Sequence, residues 1–197
     1  MAIKRTMQLL IPSLFLFSLA LAVTGTESSS SSATATATKT TTHLRFYMHD
    51  VITATPPSYP VATAVQVING TVPLPNDPTT HFGDMFAIDD LLTAGPDPTA
   101  PSAEVGRAQG FFQFASLTEY ALLLSANFVF TAGSGKHNRS TVAVLARDVI
   151  FDDVRELPVV GGTGGFRGAT GYGLMRTHSI DTVGKNAVLL IDLYLDV

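Results

Sequence analysis

Two aspartates occupy sequence positions at which a carboxyl group could carry out proton chemistry. Asp50 continues the alternation of apolar residues in Leu44–Met48, and Asp148 continues the alternation in Val142–Ala146. Alternate side chains of a strand point to the same face, so both carboxyls point inward if the apolar faces are buried. Burial raises the pKa of a carboxyl group, which makes both aspartates candidate proton donors or acceptors. The alternative is that each marks a strand end that reaches solvent.

The segments that must position these aspartates alternate apolar and polar residues with the period of two typical of half-buried strands. Strands are predicted at Leu44–His49, Val65–Val67, Phe82–Asp89, Val105–Phe114, Ala121–Thr131, Thr141–Ile150, Tyr172–Ile180 and Asn186–Val197. The composition of Ala121–Phe130 also allows a helix. Runs rich in Pro, Gly, Asn and Asp separate the segments. About eight short strands without intervening helices predict an all-β barrel or sandwich.

The N-terminal residues have the pattern of a secretory signal peptide. Two basic residues precede an apolar run, Met7–Val23, which ends in small residues before a polar stretch. We therefore assign residues 1–25 to a signal peptide, the Ser-, Thr- and Ala-rich residues 26–42 to a disordered tail, and residues 43–197 to one folded domain. A membrane anchor is the alternative for the apolar run, and Pro12 within it argues against a span.

The composition argues against several classes of function. The chain has 12 Lys and Arg against 16 Asp and Glu, which does not suggest the basic face that nucleic acid requires. It has no cysteine, and its five histidines have no metal-ligand spacing, so we predict neither a metal nor a cofactor. The run Gly161–Gly173 lacks the Gly-Lys-Ser/Thr ending of a phosphate-binding loop. Its glycines are instead predicted to relieve crowding at a bend or bulge.

Two further features concern modification and assembly. Asn69-Gly70-Thr71 and Asn138-Arg139-Ser140 match the N-glycosylation sequon. Both triplets lie in predicted turns, so we expect glycans on Asn69 and Asn138; accidental matches are the alternative. The final strand is apolar on both faces between Val188 and Leu195, which is more apolar surface than one interior can bury. This pattern predicts a homo-oligomer.

Four motifs, in order along the chain, resemble the dirigent family of land plants. They are His49–Asp50, Ile88–Thr93, Gly106–Phe111 and Arg155–Gly164, and the resemblance extends over about residues 42–197. It implies an eight-stranded antiparallel β-barrel related in fold to allene oxide cyclases. It also implies secretion to the apoplast and assembly as a homo-oligomer, with a trimer favoured over a dimer.

The function implied by the resemblance is control of stereochemistry. A separate laccase or peroxidase makes phenoxy radicals from a monolignol such as coniferyl alcohol. The dirigent protein then orients two radicals so that they couple to one enantiomer of a lignan. One alternative is a dehydrating cyclase of the pterocarpan-forming type, which closes a heterocycle in an isoflavanol. Another is a structural cell-wall or defence protein. None of these functions needs a nucleic-acid or membrane partner.

The family's motifs also imply a site. They place the proton-transfer roles on Asp50 and Asp148, and the substrate pocket further includes Arg155, Thr177, Phe112 and Phe114. The two phenylalanines stand where lignan-forming members carry tyrosines, so they supply aromatic walls without hydroxyl groups. Burial raises the pKa of a carboxyl group, whereas a nearby arginine lowers it. We therefore expect one aspartate to stay protonated while the other is ionised.

The signal-peptide assignment predicts that the protein secreted by plant cells begins between Val23 and Glu27. The small residues that end the apolar run suit a signal-peptide cleavage site. N-terminal sequencing and intact-mass measurement of secreted material check the prediction. Secreted protein that still starts at Met1 contradicts it.

Overall fold

The computed structural model describes residues 40–100 and 104–197, so the predicted signal peptide and residues 26–39 of the predicted tail lie outside the described residues. Most of the described chain is β-structure. Its strands are β1 (Thr41–Asp50), β2 (Ala64–Ile68), β3 (Val72–Leu74), β4 (Asp77–Phe82), β5 (Met85–Thr93), β6 (Glu104–Phe114), β7 (Ala121–Phe130), β8 (Thr141–Val149), β9 (Arg155–Thr163), β10 (Thr170–Asp181) and β11 (Asn186–Asp196). Two 3₁₀ helices lie at Ala132–His137 and Gly164–Phe166. Within the described ranges, no helix has the length and apolarity needed to cross a membrane.

Eight of the strands close into an antiparallel barrel. The hydrogen-bonded order is β1, β11, β10, β9, β8, β7, β6 and β5, and β5 returns to β1 by pairing Leu91–Thr93 with Tyr47–His49. The other end of β5 pairs with β2, and β3 pairs with β4 in a separate hairpin. Closure distinguishes the barrel from a sandwich and pairs the strand edges of the ring. The predicted all-β fold with an eight-stranded antiparallel barrel is confirmed.

The apolar face of each barrel strand fills the interior. In β11 the alternation predicted from the sequence is observed, because Ile191 and Leu193 point inward and are fully buried. In β1, Phe46 is buried and meets Phe128 and Phe130 edge to face, at ring-centroid distances of 5.2 and 5.9 Å. Ala121–Phe130 is a strand and not a helix. The period-two pattern therefore located the core.

Some strands differ from the prediction. β9 was not predicted, because its Pro158 and paired glycines are depleted in strands. The proline-rich run before residue 79, predicted as a connection, contains the turn of the β3–β4 hairpin, with Asn76 at a φ of 64°. The strand predicted at Phe82–Asp89 is broken at Gly83, whose φ is 92°. The predicted number of barrel strands is right but the membership is not: β2 lies outside the closed ring and β9 is part of it.

The N-terminal boundary of the domain also differs from the prediction. β1 begins at Thr41, two residues before the predicted start at His43. Thr41 pairs with Asp196 in β11, and its hydroxyl donates a hydrogen bond to the Asp196 carboxylate at 2.9 Å. Threonine suits a half-exposed strand, so the low-complexity composition hid this strand start.

The outer face of β11 is less apolar than the oligomer prediction assumed. Asp192 lies on this face, and its buried carboxylate accepts hydrogen bonds from Arg45 Nε at 2.7 Å and from His43 Nε2 at 2.8 Å. These contacts replace part of the apolar surface that motivated the prediction. Homo-oligomerisation stays a prediction.

The glycine-rich run begins at a β-bulge, as its composition predicts. Ala143 faces Gly161 while Val144 faces Val159, so Val160 is an extra residue on β9. A register shift of this kind bends the strand and increases its local twist.

Two adjacent glycines in this run allow a matched test. A Cβ atom at Gly162 would lie 2.5 Å from the Phe166 carbonyl oxygen and 2.7 Å from the Thr141 carbonyl oxygen, whereas a Cβ at Gly161 meets nothing within 4 Å. We expect Gly162→Ala to lower the free energy of unfolding by about 1–3 kcal/mol. Gly161→Ala is expected to change it by less than about 0.5 kcal/mol. Denaturant unfolding measures both, and equal effects of the two substitutions contradict the packing argument.

Candidate active site

Strand direction brings the predicted site residues to one end of the barrel. Antiparallel neighbours alternate in direction, and β1 and β8 are four steps apart around the ring. They therefore run in the same direction, and Asp50 and Asp148, near the C-terminal ends of these strands, lie at the same end of the barrel. β6 and β10 also run this way, whereas Arg155 begins the oppositely directed β9 at the same end.

These strand ends enclose a cavity of about 280 Å³. All six residues expected from the sequence line it: Asp50, Asp148, Arg155, Thr177, Phe112 and Phe114. Phe86 stacks on Phe112 with ring centroids 4.9 Å apart, and Phe114 meets Phe112 edge to face at 6.5 Å. Most of the wall area is apolar, and polar side chains are interspersed along it.

Asp148 forms a buried ion pair. The Arg155 guanidinium donates from Nε to the Asp148 carboxylate at 3.0 Å and from Nη1 to the Thr177 hydroxyl at 2.9 Å. Burial raises the pKa of Asp148, while the charge and hydrogen bond of Arg155 offset part of that rise. Arginine stays charged in proteins. Asp148 is therefore the carboxyl group that has a cation to balance its negative charge.

Asp50 faces the same cavity without such a partner. Its Oδ1 atom is buried and has no hydrogen-bond partner among the described residues. Burial, together with repulsion from Asp148, raises the pKa of Asp50 to about 7. Asp50 is thus mainly protonated in weakly acidic solution, whereas Arg155 favours the ionised form of Asp148. The two carboxyls differ in the way that suits an acid beside a base.

Sequence reasoning missed polar groups at the cavity mouth. Tyr120, which precedes β7, donates a hydrogen bond from its hydroxyl to Asp77 at 3.0 Å. Lys185 Nζ donates to the hydroxyls of Thr79 and Thr80, each at 3.4 Å. Asp77 and the two threonines belong to the β3–β4 hairpin, so strand alternation in the barrel could not reveal them. Tyr120 provides the cavity with a phenol group that the residues at positions 112 and 114 lack.

A third inward-facing carboxyl was also missed. Asp90 is fully buried in β5, and it lies on the same inward face of the strand as Phe86 and Ile88. The predicted strand ended at Asp89, so its alternation was not followed one residue further.

The remaining sequence-derived sites lie elsewhere. Asn69 and Asn138 are exposed and lie outside the cavity lining. Their glycosylation stays a prediction. In the described part of the chain, no group of three or more His, Asp or Glu residues is arranged to hold a metal ion.

A barrel with an aromatic cavity and two unlike carboxyls has the features of a site suited to a small, largely apolar molecule and to proton exchange. The chain belongs to the dirigent family. The family model described as "Dirigent-like protein" matches residues 41–196, which include every barrel strand.

Some related proteins are named only for the family, and others are named for an activity. The chain is 42% identical over 154 residues to dirigent protein 21 of Arabidopsis thaliana, covering 78% of this chain and 76% of that one. It is 36% identical over 158 residues to pterocarpan synthase 1 of Glycyrrhiza echinata, covering 78% and 77%. A solved pterocarpan synthase dirigent protein superposes with a TM-score of 0.69 at 35% identity, covering 80% of this chain and 90% of that one.

The raised pKa of Asp50 predicts a pH-dependent cost to stability. The unfolded chain ionises Asp50 above about pH 4, whereas the fold holds it protonated up to about pH 7. Wild-type stability therefore falls between these pH values relative to Asp50→Asn, by at most about 4 kcal/mol. Denaturant unfolding of both proteins from pH 4 to 8 measures the difference.

Asp89→Asn is the matched control on the outside of the barrel. A hydrogen bond from Arg107 lowers the pKa of Asp89, so its replacement should cost stability above about pH 4. The two substitutions thus have opposite signs. A difference between wild type and Asp50→Asn that is constant from pH 4 to 8 contradicts the burial argument.

Proposed function

We propose that the protein is a cyclase that closes an oxygen heterocycle in a single phenolic substrate with loss of water, as in pterocarpan formation. The observation that carries the proposal is the pair of unlike carboxyls in one aromatic cavity. The cavity volume of about 280 Å³ lies near the lower end of sites that take one drug-sized molecule. It therefore favours one isoflavanol-like substrate over two monolignol radicals.

The proposed reaction assigns one proton transfer to each aspartate. Asp50 donates its proton to the departing hydroxyl, whose C–O bond breaks to release water. A phenol oxygen of the same molecule then attacks the electron-poor carbon and forms the new C–O bond. The Asp148 carboxylate accepts the phenol proton, and exchange with solvent restores both carboxyls. Arg155 holds the base in place through the hydrogen bond of 3.0 Å.

The aromatic walls suit the intermediate of this reaction. Loss of the protonated hydroxyl as water leaves a carbon centre with positive character. Phe86 and Phe112 line the cavity, and aromatic rings can stabilise a neighbouring positive charge. The apolar walls also limit the access of water, which would otherwise add to the same carbon. The identities of 36% and 37% to two pterocarpan synthases support this chemistry.

Stereoselective coupling of monolignol radicals is the second candidate. Phe151 favours it, because this side chain is 69% exposed at the cavity mouth and lies edge to face with Tyr120 at 5.4 Å. A second aromatic ring could lie on this surface while the first occupies the cavity. In that case a separate laccase or peroxidase supplies the radicals, and Asp50 protonates the coupled quinone methide before ring closure.

The proposed setting for either reaction is the apoplast. The apolar run Met7–Val23 supports secretion, and the exposed positions of Asn69 and Asn138 are compatible with glycans. A homo-oligomer, with a trimer favoured over a dimer, belongs to the same proposal. Light scattering of the purified protein distinguishes these states from a monomer.

Product analysis separates the two reactions. Isoflavanols and monolignols are incubated with the protein, with and without laccase, and the products are resolved by chiral chromatography. The cyclase proposal expects one enantiomer of a cyclised isoflavanol without oxidant. Asp50→Asn should lower kcat by about 10²–10⁴-fold, because it keeps the shape and removes the transferable proton.

The control for this assay is Asp89→Asn, which changes an exposed carboxyl on the outer face and should leave the rate unchanged. Selective product from monolignols that appears only with laccase favours radical coupling. Full activity of a double Asp50→Asn, Asp148→Asn protein contradicts the acid–base roles. The absence of any product, with or without laccase, favours a structural or defence protein.

A further inference from the structure

Asp90 on β5 is the register partner of Asp50 on β1, one step beyond the β1–β5 ladder. In the β1–β5 ladder Met48 faces Leu92 and His49 faces Leu91, so Asp50 and Asp90 are the next two residues in this register. Both residues lie on the inward-facing side of their strands. Side chains that oppose each other on one face of an antiparallel pair lie about 5 Å apart at Cβ. Asp90 is fully buried and is not part of the cavity lining.

Each of these carboxyls has an oxygen without a partner. Asp50 Oδ1 and Asp90 Oδ2 are the two buried side-chain oxygen or nitrogen atoms without a hydrogen-bond partner in the described part of the chain. Two facing carboxylates in an apolar interior repel each other and lack solvation. One proton held between them removes one charge and gives the unpartnered oxygens a donor. Such a pair titrates as a unit.

The hydroxyl of Thr63 can accommodate both protonation states of Asp90. Thr63 Oγ1 lies 2.5 Å from Asp90 Oδ1 and 3.3 Å from the His49 carbonyl oxygen. When Asp90 is ionised, Thr63 donates to it. When Asp90 is protonated, its O–H can donate to Thr63, which then donates to His49. Asp90 therefore keeps its hydrogen bond with Thr63 whether it is ionised or protonated.

The other charges near the pair act more weakly than burial. Asp148 repels the charged form of Asp50. On β5 and β6, Asp89 repels and Arg107 attracts the charged form of Asp90. Burial is the largest cause of the raised pKa of each carboxyl, and Asp50 further raises the pKa of Asp90 well above its ordinary value.

We infer that Asp50 and Asp90 form a carboxyl pair that keeps one proton when Asp50 is ionised, with Asp90 as the positioning residue that holds that proton beside Asp50. This inference rests on the proposed function, in which Asp50 gives its own proton to the departing oxygen. The new Asp50 carboxylate is then opposite a neutral Asp90, whose O–H can donate to it. Asp90 acts through Asp50 and does not touch the substrate.

Carbon-13 NMR of the aspartate carboxyls, recorded against pH without substrate, tests the pair. In the wild-type protein, Asp90 should keep the shift of a protonated carboxyl through neutral pH. It should also show a small inflection at the midpoint of Asp50. Asp90→Ala removes the donor and should raise the Asp50 midpoint by about one pH unit. Asp90→Asn, whose amide can still donate, should return that midpoint towards the wild-type value.

Two results overturn the inference. One is an Asp90 resonance at the shift of a carboxylate throughout neutral pH, which the wild-type protein alone can reveal if the variants do not fold. The other is an Asp50 midpoint that is the same in wild type and Asp90→Ala. Because no substrate is present, this test can fail while the cyclase assay succeeds, or succeed while that assay fails.

Discussion

The barrel closes through a ladder of only three residue pairs between β1 and β5, and the site depends on that short contact. His49 secures the ladder from outside. Its Nε2–H donates to Thr93 Oγ1 at 2.7 Å, since the Thr93 hydroxyl itself donates to the Gly95 carbonyl oxygen, and its Nδ1 accepts from Tyr59 at 2.9 Å. Burial lowers the pKa of His49 to about 4, so the imidazole stays neutral in weak acid. The neighbouring Asp50 points to the opposite face, into the cavity.

Asp50 and Asp148 are both desolvated in the cavity, but their different partners give the two carboxyl groups different tendencies to hold a proton. Asp148 has the guanidinium of Arg155 at 3.0 Å, whereas Asp50 has an unpartnered buried oxygen and is repelled by Asp148. Arg155 offsets part of the cost of burying a charge at Asp148, whereas no cation offsets that cost at Asp50. This difference costs stability at Asp50, as expected when a buried polar group is retained for chemistry rather than for packing. Repulsion between Asp50 and Asp148 acts on both groups equally, so it alone would not determine which of the two stays protonated.

The period-two pattern predicted an all-β fold and gave an inward direction of Asp50 and Asp148 as one of two alternatives, because burial on one face imposes that alternation. The barrel was predicted by the family resemblance. The pattern could not predict β9, whose Pro158 and paired glycines are typical of a loop. Tyr120 and Asp77 come from segments around the barrel mouth, where no periodicity links the two positions. The pairing of Asp50 with Asp90 depends on register between strands about forty residues apart, and the register follows from closure and not from either strand alone.

The mouth of the cavity explains how one substrate orientation could be selected. Asp84 holds the β3–β4 hairpin, since its carboxylate accepts hydrogen bonds from the Gly70 N–H at 2.8 Å and the His81 N–H at 2.7 Å. Tyr120 then joins the hairpin to the barrel through Asp77. Asp50 lies at the end of β1 and the phenol of Tyr120 lies at the mouth, with phenylalanine rings among the walls. A flat substrate with oxygen at both ends can satisfy both polar groups in few orientations, and this geometric restriction is what a stereoselective ring closure requires.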